Sequence, residues 1–464
     1  MPPDDASLAW LGELAAGDGP RYLQIVGFLE LAIAQGRLRT GDRLTPQRRV
    51  AERLGVDLTT VTRAYDEARR RNLLAAQGAR GTFVAAPKVA HVALVDLSMN
   101  IPPPPADIDL EALLKDGFSQ LLLHADADLL MTYHLAGGSR VDRAAGARWL
   151  RPMLGDVADD AVVACPGAQS ALAALILANT APGDVILSEP VVYPGLRAAA
   201  MQLGRRVESV ACDDEGMRPD ALEHACREHG AMLVYLNPTI QNPTTVTMPE
   251  RRRRDIVAAA RRCDAQIVED DPYWLLARGA PTPLAALAPE RVHYVSTLSK
   301  CLSPGLRTAF VRSPDRGSQV AFLAALRSFS LMRAPLPAAL VTQWLHDGTA
   351  ERLMAGVKEE VAARQRIAAR TLTTASSGRC MSREGVHLWY DLPSYWRSTS
   401  FAQAARGEGL AVTPSDAFAT GATRSNAIRI SLGAGRDRKR LDVALARLSA
   451  LLARKPTVEE AIVI

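Results

Sequence analysis

STLSKCLSPGLRTAF, residues 296–310, is the stretch on which the fold turns. One apolar strand pattern, HYVSTLS (293–299), runs directly into Lys300, and a second, TAFVRS (308–313), follows a short turn. A lysine at the carboxyl end of a buried strand opens into the crevice where the ligands of α/β sheets sit. Partial desolvation there favours the neutral amine, which can condense with an aldehyde. Arg307, seven residues on, supplies a fixed planar cation suited to a phosphate.

The same grammar extends on the N-terminal side. AVVAC (161–165), DVILSEP (184–190), MLVYLNP (232–238) and QIVED (266–270) alternate with Ala/Arg-rich helical stretches from about residue 131. Such alternation predicts a mostly parallel α/β sheet buried on both faces. The polar residues of interest fall at the ends of these runs. In IVEDDPYW (267–274), Asp270 is a carboxylate suited to a pyridine nitrogen, and Tyr273 a hydroxyl suited to a phenolic oxygen. In NPTIQNPT (237–244), Asn242 can hydrogen-bond the same oxygen. CPGAQSAL (165–172) is a Gly turn into a helix, whose amides suit a phosphate, and Tyr193 in SEPVVYPG offers a ring for stacking. Each piece alone is more often structural than functional. Together, in this order, they describe a site for pyridoxal 5'-phosphate.

The chain has 464 residues, 48% apolar and 5% aromatic, enough for two or three domains. No run approaches 18 apolar residues and the acidic start, MPPDDASLAWLGEL, is no signal peptide, so a cytoplasmic protein without a membrane partner is expected. The six cysteines form no CxxC pair, which argues against a disulfide framework or structural metal; Cys301, beside the reactive lysine, is the one to watch. Charge is uneven: residues 36–84 carry eleven Arg against five acids. That excess suits a polyanion, or equally a solvated face.

The pattern over 20–84 decides between them. Leu23, Ile25, Val26, Leu29 and Ile33 mark an amphipathic helix; Thr45-Pro46 reads as an N-cap and first-turn proline of a short helix to Leu54; Gly55 turns the chain; Asp57 caps a helix from Leu58 to Arg71. Two short helices about a Gly turn form a helix-turn-helix, and GARGTFVAA reads as a two-stranded wing. Residues 85–95 form a short linker, and DLSMNIPPPP (96–105) an ordered arm of the next domain.

The run from RYLQIVGFLE through GARGTFV resembles the GntR-type winged helix along its whole length. The resemblance implies that Arg48, Thr59, Thr60 and Arg63 face double-stranded DNA and that Arg80 stands at the wing tip by the minor groove. Leu58 occupies a place where many members have Arg. Residues 96–464 resemble fold-type I aminotransferases, and the two halves together resemble the MocR/GabR type of GntR regulator. The implied architecture is an α+β winged helix-turn-helix (1–84) and an α/β pyridoxal-phosphate domain, its large subdomain about 131–335 and its small one about 336–464.

By that resemblance Lys300 carries the cofactor, Asp270 pairs its ring nitrogen, Asn242 and Tyr273 hold its phenolic oxygen, and Tyr193 stacks on it. Ala168, Gln169, Thr297 and Arg307 hold the phosphate, Tyr133 reaches the partner subunit's phosphate in a homodimer, and Arg429 takes an α-carboxylate; the alternative for Arg429 is a surface place on an edge strand. NPTT in place of NPTG, Ile240 and Ala168 depart from the usual pattern. The implied function is a regulator in which an amino-acid or amine effector forms an external aldimine in place of Lys300. The alternatives are a working aminotransferase with an added domain and a cofactor-free dimerisation platform.

Overall fold

The computed structural model describes residues 8–14, 19–71, 73–76, 81–85, 94–124, 126–133, 137–372, 384–421, 425–435 and 437–456. The chain divides into two compact units, Met1–Ala93 and Leu94–Ile464.

In the first unit, helices Arg21–Ala34, Gln47–Leu54 and Leu58–Arg70 precede an antiparallel ribbon, Leu74–Ala76 with Thr82–Val84. Val61, Ala64, Tyr65 and Ala68 form the buried stripe of the third helix, as its periodicity predicts. They pack with Ile25, Val26, Leu29 and Val50, and with Trp10 from ahead of the first helix, which the sequence pattern did not place in the core. Gly55 joins the second and third helices in the left-handed region, φ 59° and ψ 39°. Asp57 caps the third helix by accepting from the Thr59 amide at 2.7 Å. The expected Thr45 cap is corrected: Pro46 takes the N-cap place, with no side-chain cap bond, and the Thr45 carbonyl accepts from the buried Tyr65 hydroxyl. Proline's fixed φ serves that position as well as the first turn.

The second unit is built on seven strands in the order Val162–Cys165, Ala309–Arg312, Val292–Thr297, Gln266–Asp270, Leu233–Leu236, Val185–Ser188, Arg206–Ser209. Only Ala309–Arg312 runs antiparallel to its neighbours. Alternate residues serve opposite faces: Val162, Ala164, Leu187, Val234 and Ile267 pack into one core, Val163, Cys165, Ile186, Leu233 and Val268 into the other. Covering both faces with helices makes the strands continuously apolar. The one edge strand the apolar pattern missed, RVES, is half exposed and accordingly polar.

The smaller layer has a three-stranded antiparallel sheet with Ala427–Ser431 in the middle, between His387–Asp391 and Thr413–Pro414. Helices Ser398–Gly407 and Arg438–Ala453 cover it around Phe401, Ile428 and Leu445. Its expected start near 336 is corrected. Helix Pro335–Asp347 and the first half of Thr349–Leu372, through Val361, pack into the large core; Ala368 and Leu372 at the far end join the small one. A 24-residue helix spans about 36 Å, long enough to serve two cores, so the boundary falls inside one element. Val95, expected in the linker, already pairs in parallel with Leu410, which puts it in the second unit.

Candidate functional site

The parallel strands present their carboxyl ends at one edge of the sheet. The antiparallel strand brings its start there too: Ala309 pairs with both Cys165 and Thr297, so Arg307 lies beside the turn after one strand and Lys300 after the other. Arg307 adopts φ 44°, and Gly167 has φ 101°; a Cβ on Gly167 would lie 3.1 Å from the Arg307 guanidinium. The guanidinium is thus laid against the opening turn of helix Ala168–Asn179, whose free amides already favour an anion. Thr297 and Ser299 share a hydroxyl contact of 3.0 Å at the same edge. Gln169 reaches the Gly195 carbonyl at 2.9 Å, while its Oε1 is buried without a partner.

Lys300 is largely buried and donates to the carbonyl of Asn100. Burial, then the Arg429 charge, lowers its pKa to about 8, with Arg307 adding to this and Asp270 opposing it. Asp270 accepts from the Tyr235 hydroxyl at 2.7 Å, and its main-chain carbonyl accepts from Asn237 at 2.8 Å. Its Oδ1 is buried and unpartnered, and burial raises its pKa to about 6. An acceptor so placed needs a donor, and a protonated ring nitrogen answers that need. Tyr273 is fully buried, packs against His387 at 5.5 Å between ring centroids, and accepts from the Asn100 amide at 3.1 Å. Tyr193 occupies the N-cap place of helix Pro194–Gln202, without a side-chain cap bond, within the field of Asp270, Arg307 and Arg429.

Arg429 is buried on the middle strand of the small sheet, which removes the alternative of an edge-strand surface place. It donates to Asn242 Oδ1 at 2.7 Å and to the Ser98 carbonyl, lies 4.8 Å over the Phe418 ring, and keeps an unpartnered buried Nε. Asn242 is therefore tied to Arg429 through its oxygen, which leaves its amide nitrogen as the donor. Ile240 and Thr245 flank it at positive φ, 47° and 65°. A β-branched residue at positive φ marks strain, and Gln241 holds the loop through Glu189 at 2.9 Å and the Val191 carbonyl at 2.8 Å. Tyr133 is 75% exposed and apart from these contacts. Cys301 is buried and its thiol is pushed up to about 12 by burial, which makes it unreactive.

Four contributors escaped the sequence reading: Asn100, Ser98, Tyr235 and Ser299. Tyr235 lay inside an apolar run, and the arm residues Asn100 and Ser98 come 200 and 202 positions before Lys300.

In the first unit, Arg48 and Thr59 are exposed and Thr60 is half-buried, all near the start of the helix-turn-helix pair. Arg63 is exposed, with its guanidinium 4.3 Å from the Tyr22 ring centroid. Leu58 opens the third helix 39% exposed. Arg80 lies outside the described residues. Part of the charge excess is internal: Arg69 pairs with Asp66, Arg70 with Glu67, and Arg71 with Glu67 and Glu30. Among the described residues no helix is long and apolar enough to cross a membrane, and no group of side chains could hold a metal.

Comparison with known proteins agrees with both units. Residues 21–84 match the bacterial regulatory proteins of the gntR family, and residues 94–448 match aminotransferase class I and II. The chain is 27% identical over 456 residues to the uncharacterized HTH-type transcriptional regulator YdeF of Bacillus subtilis, covering 96% of this chain and 97% of that one. It is 30% identical over 431 residues to the vitamin B6 salvage pathway transcriptional repressor PtsJ of Salmonella typhimurium, covering 89% and 95%. Among solved structures, an archaeal alanine:glyoxylate aminotransferase superposes with a TM-score of 0.71 at 26% identity, covering 77% of this chain and 90% of that one. With a gntR-type helix-turn-helix ahead of an aminotransferase class I and II domain that spans most of its length, the chain belongs to the GntR-family regulators of MocR/GabR type.

Proposed function

We propose that this protein is a cytoplasmic DNA-binding transcription regulator whose second unit holds pyridoxal 5'-phosphate and responds to an amino acid or amine. The observation that carries the reading is the buried, unpartnered Asp270 Oδ1 beside a lysine already lowered to about 8, in a chain that opens with a helix-turn-helix. The residues fit the cofactor: Asp270 for the ring nitrogen, Tyr273 and Asn242 for the phenolic oxygen, Tyr193 for the ring face. Ala168, Gln169, Thr297 and Arg307 suit the phosphate, with Tyr133 serving the partner subunit of a homodimer.

When bound, the cofactor supplies an aldehyde with which a primary amine condenses. Lys300 competes for that group because burial keeps much of it neutral near pH 8. Lys300 would hold that aldehyde when no effector is present, and Arg429 would hold the carboxylate of an amine effector, exchanging the Ser98 carbonyl for a charged acceptor. A ligand that binds one arrangement of the protein better than another shifts DNA occupancy by that difference. Arg48, Thr59, Thr60, Arg63 and Arg80 meet phosphates and base edges, and two readers per dimer suit repeated half-sites. The Salmonella relative, a vitamin B6 salvage pathway transcriptional repressor, supports a second reading, in which pyridoxal phosphate itself is the signal.

The test is fluorescence anisotropy of the full chain on DNA from upstream of its own gene, with random DNA as control. It is titrated first with pyridoxal phosphate alone, then with a panel of amino acids and amines. Lys300→Ala is expected to remain dimeric, to bind DNA as the wild type does and to lose the amine response; a retained response refutes the mechanism. A response to pyridoxal phosphate alone selects the second reading, and sustained turnover with a 2-oxo acid in place of any DNA response selects an aminotransferase.

A further inference from the structure

We infer that Asn100 is a positioning residue of the Lys300 site, donating its amide to the Tyr273 hydroxyl so that the Tyr273 proton is turned into the cavity. The inference rests on the reading above that this cavity takes pyridoxal phosphate.

Asn100 stands on the arm by which the chain enters the second unit, and it is only 3% exposed. The arm is firmly placed. Leu97 donates to the Ala411 carbonyl at 2.8 Å and accepts from the Ser431 amide at 2.7 Å, and the Met99 carbonyl accepts from the Ser431 hydroxyl at 2.6 Å. On that frame Asn100 makes two contacts with the site: its carbonyl accepts from Lys300 Nζ, and its Nδ2 donates to the Tyr273 hydroxyl at 3.1 Å. Its Oδ1 is buried without a partner.

A tyrosine hydroxyl has one proton and two lone pairs. With one lone pair taken by Asn100, the proton turns elsewhere, and among the described residues no acceptor receives it. Burial pushes the Tyr273 pKa up to about 12, so the proton is retained across the physiological range. A hydroxyl oriented this way donates to the phenolic oxygen of the cofactor and favours its anionic form. The free Oδ1 is an unfilled acceptor on the same residue as the carbonyl that holds Lys300. Asn100 thus joins Lys300 and Tyr273 through one residue of the arm.

The test is a pH titration of the visible band of the full-length, pyridoxal-phosphate-loaded protein. Wild type is compared with Asn100→Ala, Tyr273→Phe and the double variant, with no effector present. Losing a donor to the phenolic oxygen raises the basicity of the cofactor-bound nitrogen. Asn100→Ala is therefore expected to move the titration midpoint upward by about half to one pH unit. In the Tyr273→Phe background the same change is expected to move it little, because the effect passes through the hydroxyl. A downward shift would mean that the amide accepts the Tyr273 proton, and it overturns the proposal. So does an absent shift, or one equally large without the hydroxyl. Asn100→Ser, too short to reach Tyr273, replaces the alanine variant if that one does not fold. A wild type that forms no visible band with pyridoxal phosphate overturns the reading of the site itself, an outcome distinct from a band whose titration ignores Asn100.

Discussion

Lys300 sits where three influences meet: burial and two arginines disfavour its ammonium form, and Asp270 restores part of it. The first group prevails, so the amine loses its proton near pH 8, more than two units below an ordinary lysine near 10.4. The rate at which cofactor-free protein develops visible absorbance with pyridoxal phosphate should therefore rise through about pH 8 and level off above it. A rise that continues toward pH 10 would assign the reaction to exposed lysines. Arg429 is the other decisive residue. Its fork is divided between Asn242 and a main-chain carbonyl, with a buried Nε left over, so it has capacity for a carboxylate that neither neighbour fills. Arg429→Ala should weaken binding of carboxylate-bearing amines roughly ten- to a hundredfold and leave amines without a carboxylate nearly unaffected. Calorimetric titration of paired ligands, such as an amino acid and its decarboxylated amine, measures the difference.

At the scale of elements, caps and turns account for much of the arrangement. Asp57 satisfies an amide at the start of the third helix and lies at the end where a negative charge is favoured. Asp57→Ala should lower the thermal midpoint of the first unit by a few degrees and weaken DNA binding through fraying of that turn; circular dichroism with an anisotropy titration checks both. The arginines at the far end of that helix are largely occupied by Asp66, Glu67 and Glu30. The DNA-facing charge is accordingly expected nearer the helix starts, at Arg48 and Arg63, than the bare count over 36–84 implied. In the second unit, the meeting of Arg307 with Lys300 at one edge of the sheet depends on one antiparallel strand. Were Ala309–Arg312 parallel, Arg307 would emerge at the opposite edge of the sheet from Lys300.

At the scale of the whole molecule, each unit has its own core, Trp10 through Val84 in the first and the sheet and small-layer clusters in the second. A ligand stabilises what it binds by RT ln(1 + [L]/Kd). Scanning calorimetry should thus show pyridoxal phosphate raising the unfolding temperature of the Leu94–Ile464 unit while the Met1–Ala93 unit, made as a separate fragment, is unaffected. An upward shift in the isolated fragment would refute the assignment of the cofactor to the second unit. Helix Thr349–Leu372, rooted in the large core at one end and the small core at the other, is the element through which movement between the two layers would be carried.

By itself the sequence determined the order of elements, the helix-turn-helix with its Gly55 turn and Asp57 cap, and the strand ends that carry Asp270, Lys300 and Arg307. These are local properties: apolar period, turn chemistry and capping act over a few residues and are written in consecutive letters. Only the tertiary structure decided which distant groups meet. Asn100 and Ser98 approach Lys300 and Arg429 because the arm threads between Ala411 and Ser431; Tyr235 reaches Asp270 because neighbouring parallel strands are in register; Arg429 is buried because its strand is the middle one. The layer boundary inside one helix was illegible for the same reason, since a continuous apolar stripe looks alike whichever core it enters. Long-range pairing depends on register and packing, and those are properties of the assembled sheet.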